Sequence, residues 1–94
     1  MLKIQRIEDG EHSTLRIRGQ VQLSGARELF ERVLQEDSAR VVLDFSGCEV
    51  EDRALDQLAE MLNQAHLNLA VRGLRMRQLR LLEYLGVSHP VAAH

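Results

Sequence analysis

The stretch that most constrains the fold is residues 41–62, VVLDFSGCEVEDRALDQLAEML. It opens on Val41-Val42-Leu43, two β-branched residues and a leucine in unbroken succession, which read as a strand buried on both faces. Asp44 ends the run. A loop is expected next, with Ser46 and Gly47 as turn residues. The acidic segment Glu49-Val50-Glu51-Asp52 then leads into a helix. Leu55, Leu58, Ala59 and Leu62 fall at i, i+3, i+4 and i+7, one face of an α-helix. Asp52 is placed to cap it, its carboxylate accepting a free backbone N–H of the first turn. Asp56 adds negative charge close to the positive end of the helix dipole.

The segments on either side supply the rest of the sheet. Residues 2–8 and 12–21 read as a β-hairpin around Asp9-Gly10, a strong two-residue turn signal. Leu15, Ile17, Gly19 and Val21 alternate with Thr14, Arg16, Arg18 and Gln20, so one face is apolar. Counting back from the turn pairs Leu15 with Ile4 and Ile17 with Leu2, apolar on apolar. Ser24 is the expected cap of a first helix over 25–37, with Ala26, Leu29, Phe30, Val33 and Leu34 as its buried stripe and Glu28, Glu31, Arg32 and Glu36 off it. Leu67 to Val71 reads as a last strand, ended by Gly73. The final helix is expected from Arg75 to Leu85, with Leu79, Leu82 and either Leu81 or Leu85 as its apolar face and Gly86 at C′. Val87 to His94 reads as a frayed tail.

The order is ββαβαβα. It predicts an α/β fold: a mixed four-stranded sheet with an N-terminal hairpin, right-handed crossovers, and helices packed on the sheet. A chain of 94 residues allows one small domain, expected over 1–87 with 88–94 as a tail. Aromatics make up only 3% of the chain, so the core must be aliphatic.

Within 41–62 a family resemblance appears. The "LDFSG" segment, followed by Asp52 at the start of a helix, resembles the STAS domain, the module of bacterial anti-sigma-factor antagonists and of some transporter subunits. In that family a strand ends in Asp, a Ser-Gly loop follows, and Asp-Ser-Ser-Gly-Leu opens the next helix. The flanking segments match at the right spacing, so the resemblance spans nearly the whole chain. It implies the same ββαβαβα order, with the loop before the second helix exposed at one end. The departure is at the motif's serine, where Arg53 stands, followed by Ala54 and Leu55. In the family a kinase phosphorylates that serine, and the added charge of about −2 releases the partner. Arg53 has no hydroxyl and places a permanent positive charge in that position.

The resemblance therefore implies a non-catalytic protein–protein interaction module. Its partner is expected to be an anti-sigma kinase or related protein, met through Asp44, Ser46, Asp52, Arg53, Asp56 and Gln57. Asp44 would brace the loop and Asp52 cap the helix, while Arg53, Asp56 and Gln57 would meet the partner. The alternative is a STAS subunit of an ABC-type lipid-transport complex, docking on its ATPase. Ser46 reads as a turn serine bonded to local backbone, with a role as substitute phosphate acceptor as the other reading.

Other chemistry finds little support in the residues. Gly19 and Gly25 lack a following Gly-Lys-Ser/Thr, so there is no phosphate-binding loop of Walker type. His12, His66, His89 and His94 have no metal-ligand spacing with one another or with Cys48, and no cofactor or metal is expected. Cys48 sits in an acidic stretch that raises its pKa; as the single cysteine it forms no internal disulfide, which fits a reducing cytoplasm. The N-terminus has no apolar signal region and no run approaches a membrane span, so a cytoplasmic protein without direct membrane insertion is expected. Net charge is −2 and aromatics are few, which argues against nucleic acid. Charge is segregated along the chain: Glu49, Glu51, Asp52, Asp56 and Glu60 make one region acidic, and Arg72, Arg75, Arg77 and Arg80 form a basic segment, readable either as a docking site for an acidic or phosphate-bearing ligand or as a solvated face.

Overall fold

The structure, a computed structural model, describes residues 2–37, 40–64 and 68–87. The proposed tail over 88–94, Leu67, and His66, His89 and His94 lie outside the described residues. The elements are β1 (Lys3–Asp9), β2 (His12–Val21), α1 (Leu23–Leu34), β3 (Arg40–Val50), α2 (Asp52–Gln64), β4 (Asn68–Arg72) and α3 (Met76–Tyr84). The ββαβαβα order is the one expected. The strands form one mixed sheet in the order β1-β2-β3-β4. β1 and β2 are antiparallel, and β2, β3 and β4 run parallel. Both parallel crossovers step the same way across the sheet. Right-handed connections therefore put their helices on one face, with α2 between α1 and α3.

The core lies between that face and the helices. Leu15, Ile17 and Val21 of β2, Val41, Leu43 and Phe45 of β3, and Leu69 and Val71 of β4 are all buried. Ala26, Leu29 and Val33 of α1 and Leu55, Leu58, Ala59 and Leu62 of α2 close over them. Each fully buried large aliphatic contributes roughly 1.5–3 kcal/mol. The α2 stripe is the one the spacing predicted, widened by Ala54 and Met61. Among the described residues, the opposite face of the sheet carries no helix. Val42 is consequently only half-buried, which corrects the expectation of a strand covered on both sides.

Several expectations at the N-terminal half are corrected. The hairpin turn is Gly10-Glu11, with Asp9 paired to His12, so Ile4 faces Ile17 and Arg6 faces Leu15. Gly10 alone in the turn takes positive φ, at 64°. Moving the turn by one residue spares Asp9 that conformation. The two-residue shift keeps every side chain on its face, and Arg6 reaches over the core edge. Its Nε donates to Glu36 Oε1 and Oε2 at 3.0 Å, and its Nη2 to Ser13 Oγ at 3.2 Å. Glu36 is thereby buried, not solvated. α1 begins at Leu23 behind Gln22, without the expected Ser24 cap, and ends at Leu34, which is 64% exposed instead of joining the stripe.

At the C-terminus, Gly86 takes φ 92° at the C′ position expected of it. Its N–H donates to Glu83 O, and that of Val87 to Leu82 O, both at 3.0 Å, which is a Schellman closure. Val87 is buried against this turn and does not belong to a frayed tail. Leu82 is the buried residue of the α3 apolar face, Leu79 and Leu81 are half-buried, and Leu85 is 37% exposed.

Gly73 ends β4 at φ 90°, and a Cβ there would strike the Ser46 N, with Ser46 Cα at 2.7 Å and Phe45 C at 2.9 Å. Gly10 also has positive φ but has open space around it. Gly73→Ala should therefore cost at least about 2 kcal/mol and lower the Tm by roughly 10 °C or more, against about 1 kcal/mol for Gly10→Ala. Thermal denaturation of the two variants side by side checks this.

Candidate functional site

The stretch after Leu43 is not a loop. β3 continues from Arg40 to Val50 through a bulge, which corrects the expectation that Asp44 ends the strand. Arg16 of β2 pairs with Asp44, but Arg18 pairs with Gly47, so β3 carries one extra residue between them. The extra residue reverses the alternation. Leu43 and Phe45 face the core before the bulge; Cys48 and Val50 face it afterwards. Ser46, Gly47 and Glu49 are left exposed.

Asp44 holds the bulge. Its Oδ1 accepts from Ser46 N at 3.0 Å and from Ser46 Oγ at 2.6 Å. The serine hydroxyl is thus spent on the carboxylate, where a bond to local backbone was expected. Arg72 Nη2 of β4 donates to Asp44 Oδ2 at 3.2 Å, and Arg16 Nε stands at 3.9 Å. Asp44 is only 5% exposed. Burial pushes its pKa up, but the two bonds from Ser46 and the Arg72 guanidinium outweigh it and hold the carboxyl below its usual range. Burial, with Asp44 nearby, pushes the Cys48 thiol up to about 11. Its Sγ donates to Phe45 O at 3.4 Å.

Beyond the bulge, backbone bonds fix the start of α2. Glu51 N donates to Val21 O at 3.0 Å and Ala54 N to Glu51 O at 2.9 Å. Gln78 of α3, buried, donates from Nε2 to Val50 O at 2.9 Å, while its Oε1 accepts from Arg75 N at 3.1 Å. One amide thus closes the first turn of α3 and ties it to the end of β3. Asp52 is the first helical residue, and its carboxylate is not the expected cap. Arg77 donates to it through both Nη atoms, at 3.0 and 3.1 Å, in a two-point pair that lowers the Asp52 pKa. Arg53 and Asp56 are exposed on the same helix start and Gln57 is half-buried.

The predicted residues therefore form two groups. Asp44 and Ser46 sit together at the bulge; Asp52, Arg53, Asp56 and Gln57 sit together at the start of α2. No hydrogen bond or ion pair joins the two groups among the described residues. Sequence reasoning missed Arg72, Arg77 and Gln78 as the residues that fix these groups. The complementary acidic and basic segments were the available signal for the two arginines. The basic segment is not one surface: Arg72 belongs to the open sheet face and Arg77 to the α2–α3 contact. A cleft of ≈ 210 Å³ between the end of β3 and the start of α3 is lined by Cys48, Val50, Leu74, Arg75, Arg77 and Gln78 among others.

A family model described as "Mlab, STAS domain" matches residues 4–92. The chain belongs to the STAS domain family. Among solved structures, its STAS fold is similar to that of an anti-sigma factor antagonist from Mycobacterium paratuberculosis. That match has a TM-score of 0.75 and 17% identity, and covers 100% of this chain and 87% of that one. A serine-to-glutamate variant of Moorella thermoacetica RsbS matches with a TM-score of 0.62 and 16% identity, over 98% of this chain and 87% of that chain. SpoIIAA, an anti-sigma factor antagonist in its unphosphorylated form, matches with a TM-score of 0.64 and 10% identity, over 97% and 90%. Comparison by sequence with curated proteins finds no match. Among the described residues of this STAS domain, no His, Cys, Asp and Glu group could hold a metal ion, and no helix is long and apolar enough to cross a membrane.

Asp44→Asn should destabilise the domain by about 1–2 kcal/mol at neutral pH, because the charge-assisted bonds weaken. A carboxyl whose folded pKa is depressed contributes stability above its unfolded pKa and loses it as pH falls through the folded one. The gap between wild type and Asp44→Asn should therefore narrow as pH falls below about 4. Denaturant unfolding across that range measures it. Cys48 alkylation by iodoacetamide near neutral pH should run at least about tenfold slower than that of an ordinary thiol, since little thiolate is present.

Proposed function

We propose that this STAS domain is a non-catalytic regulatory module that binds an anti-sigma kinase or similar protein through the bulge and the start of α2. The observation that carries the reading is the composition of that helix start. Asp52 is held by Arg77, and Arg53 and Asp56 project freely beside it. In the motif this segment resembles, the position of Arg53 is a serine whose phosphorylation releases the partner. Arg53 cannot accept a phosphate. The binding is therefore constitutive with respect to that switch, and Arg53 supplies a fixed positive charge toward an acidic partner surface.

Ser46 is no ready substitute, because its hydroxyl already donates to Asp44 at 2.6 Å. Phosphorylation there would set a dianion against a carboxylate and open the bulge. Incubation with a cognate kinase and ATP should leave residues 46 and 53 unmodified by mass spectrometry; a phosphate on Ser46 would show a relocated switch.

The direct test is an affinity pull-down from native extract with Arg53→Asp as the paired control. A histidine-kinase-like ATPase captured by the wild type, with affinity at least about fivefold weaker for Arg53→Asp, is the expected result. An ABC-type ATPase in its place would assign the same surface to a subunit of a lipid-transport complex.

A further inference from the structure

The face of the sheet away from the helices is not a neutral solvent face. The strand registers lay two rows of side chains across it. One row runs Gln5, Arg16, Asp44 and Arg72, a residue from each strand. The neighbouring row runs Lys3, Arg18 and Gly47. Four cations thus share two rows with a single carboxylate, and Glu49 follows one row further along β3. Asp44 is already engaged by Arg72 and approached by Arg16. Lys3 and Arg18 have no ion-pair partner among the described residues.

Two details set this apart from an ordinary wet face. Lys3 and Arg18 stand directly opposite each other in the antiparallel pair, where like charges are destabilising. Folding alone gives no reason for that placement. Gly47 then leaves the row flat, with the Arg18 stem lying over it: a Cβ on Gly47 would meet Arg18 Cγ at 3.7 Å. The result is a level surface of guanidinium and ammonium groups with unspent donors.

From this we infer that the open sheet face is a second docking surface, distinct from the start of α2, and that it takes an acidic segment of a protein. The charge is complementary to carboxylates, and neighbouring cations on one strand stand about 7 Å apart, matching alternate side chains of an extended acidic stretch. A nucleic acid fits less well. The face offers no aromatic platform for bases, and the chain's net charge of −2 opposes approach to a long polyanion. A membrane surface fits less well again, because among the described residues only Ile7, Val42 and Ala70 add apolar area there.

The test uses fluorescence anisotropy with a labelled oligoglutamate peptide on the whole protein. Saturable binding is expected, weakened by about tenfold or more in Arg18→Glu and in Lys3→Glu, and unchanged in Arg53→Asp. Lys3→Glu also keeps the proposal independent of folding defects: it places a carboxylate opposite Arg18, so its Tm should equal or exceed that of the wild type while binding falls. Absence of saturable binding would overturn the inference. So would equal affinity in Arg18→Glu, loss of binding in Arg53→Asp, or tighter binding to a DNA duplex or to phosphatidylglycerol vesicles than to the peptide.

Discussion

The Asp44 carboxylate and the bulge it holds are the constraint on which the rest of the structure depends. A bulge leaves a backbone N–H without its ladder partner. Asp44 Oδ1 takes that N–H and the Ser46 hydroxyl, and Oδ2 takes Arg72 from the next strand. Gly73 lets the following turn lie against the bulged backbone, where any side chain would collide. The irregularity in β3 is therefore fixed from its own strand and from β4.

The consequence is a change of phase with two outputs. On the helix side, the reversal brings Val50 inward and delivers Glu51 to Val21, which sets where α2 starts and what its first turn presents. On the open side, it turns Gly47 outward beside Arg18, so β3 adds no side chain to the row of Lys3 and Arg18. Gln78 then fastens α3 to the same end of the sheet, and the Asp52–Arg77 pair fastens it to the start of α2. The exposed ion pair contributes little by itself to stability; the buried amide, with both ends bonded, fixes the geometry.

The layered fold was legible because its signals are local. Unbroken apolar runs, the i, i+3, i+4, i+7 stripe of α2, and Gly86 at a helix end each follow from nearby residues, and the STAS motif added the order. What was not legible depends on contacts distant in sequence. DFSGCEV reads as a loop because its alternation breaks, and only the β2 partner shows that the break is one inserted residue. Asp52 reads as a cap because Arg77, 25 positions away, is invisible to local reasoning. Glu36 reads as solvated for the same reason, its partner Arg6 lying 30 positions away. Asp9-Gly10 and Gly10-Glu11 both satisfy the local turn rules, and the backbone strain at Asp9 decides between them.

Amide hydrogen exchange of Asp44→Ala against the wild type tests the central claim most directly. If Asp44 holds the bulge that positions the start of α2, Ser46 and the amides from Gly47 to the first turn of α2 should lose protection, while the β1–β2 hairpin keeps it. Unchanged protection from Ser46 through Ala54 would contradict the account, because the bulge would then be held without the carboxylate.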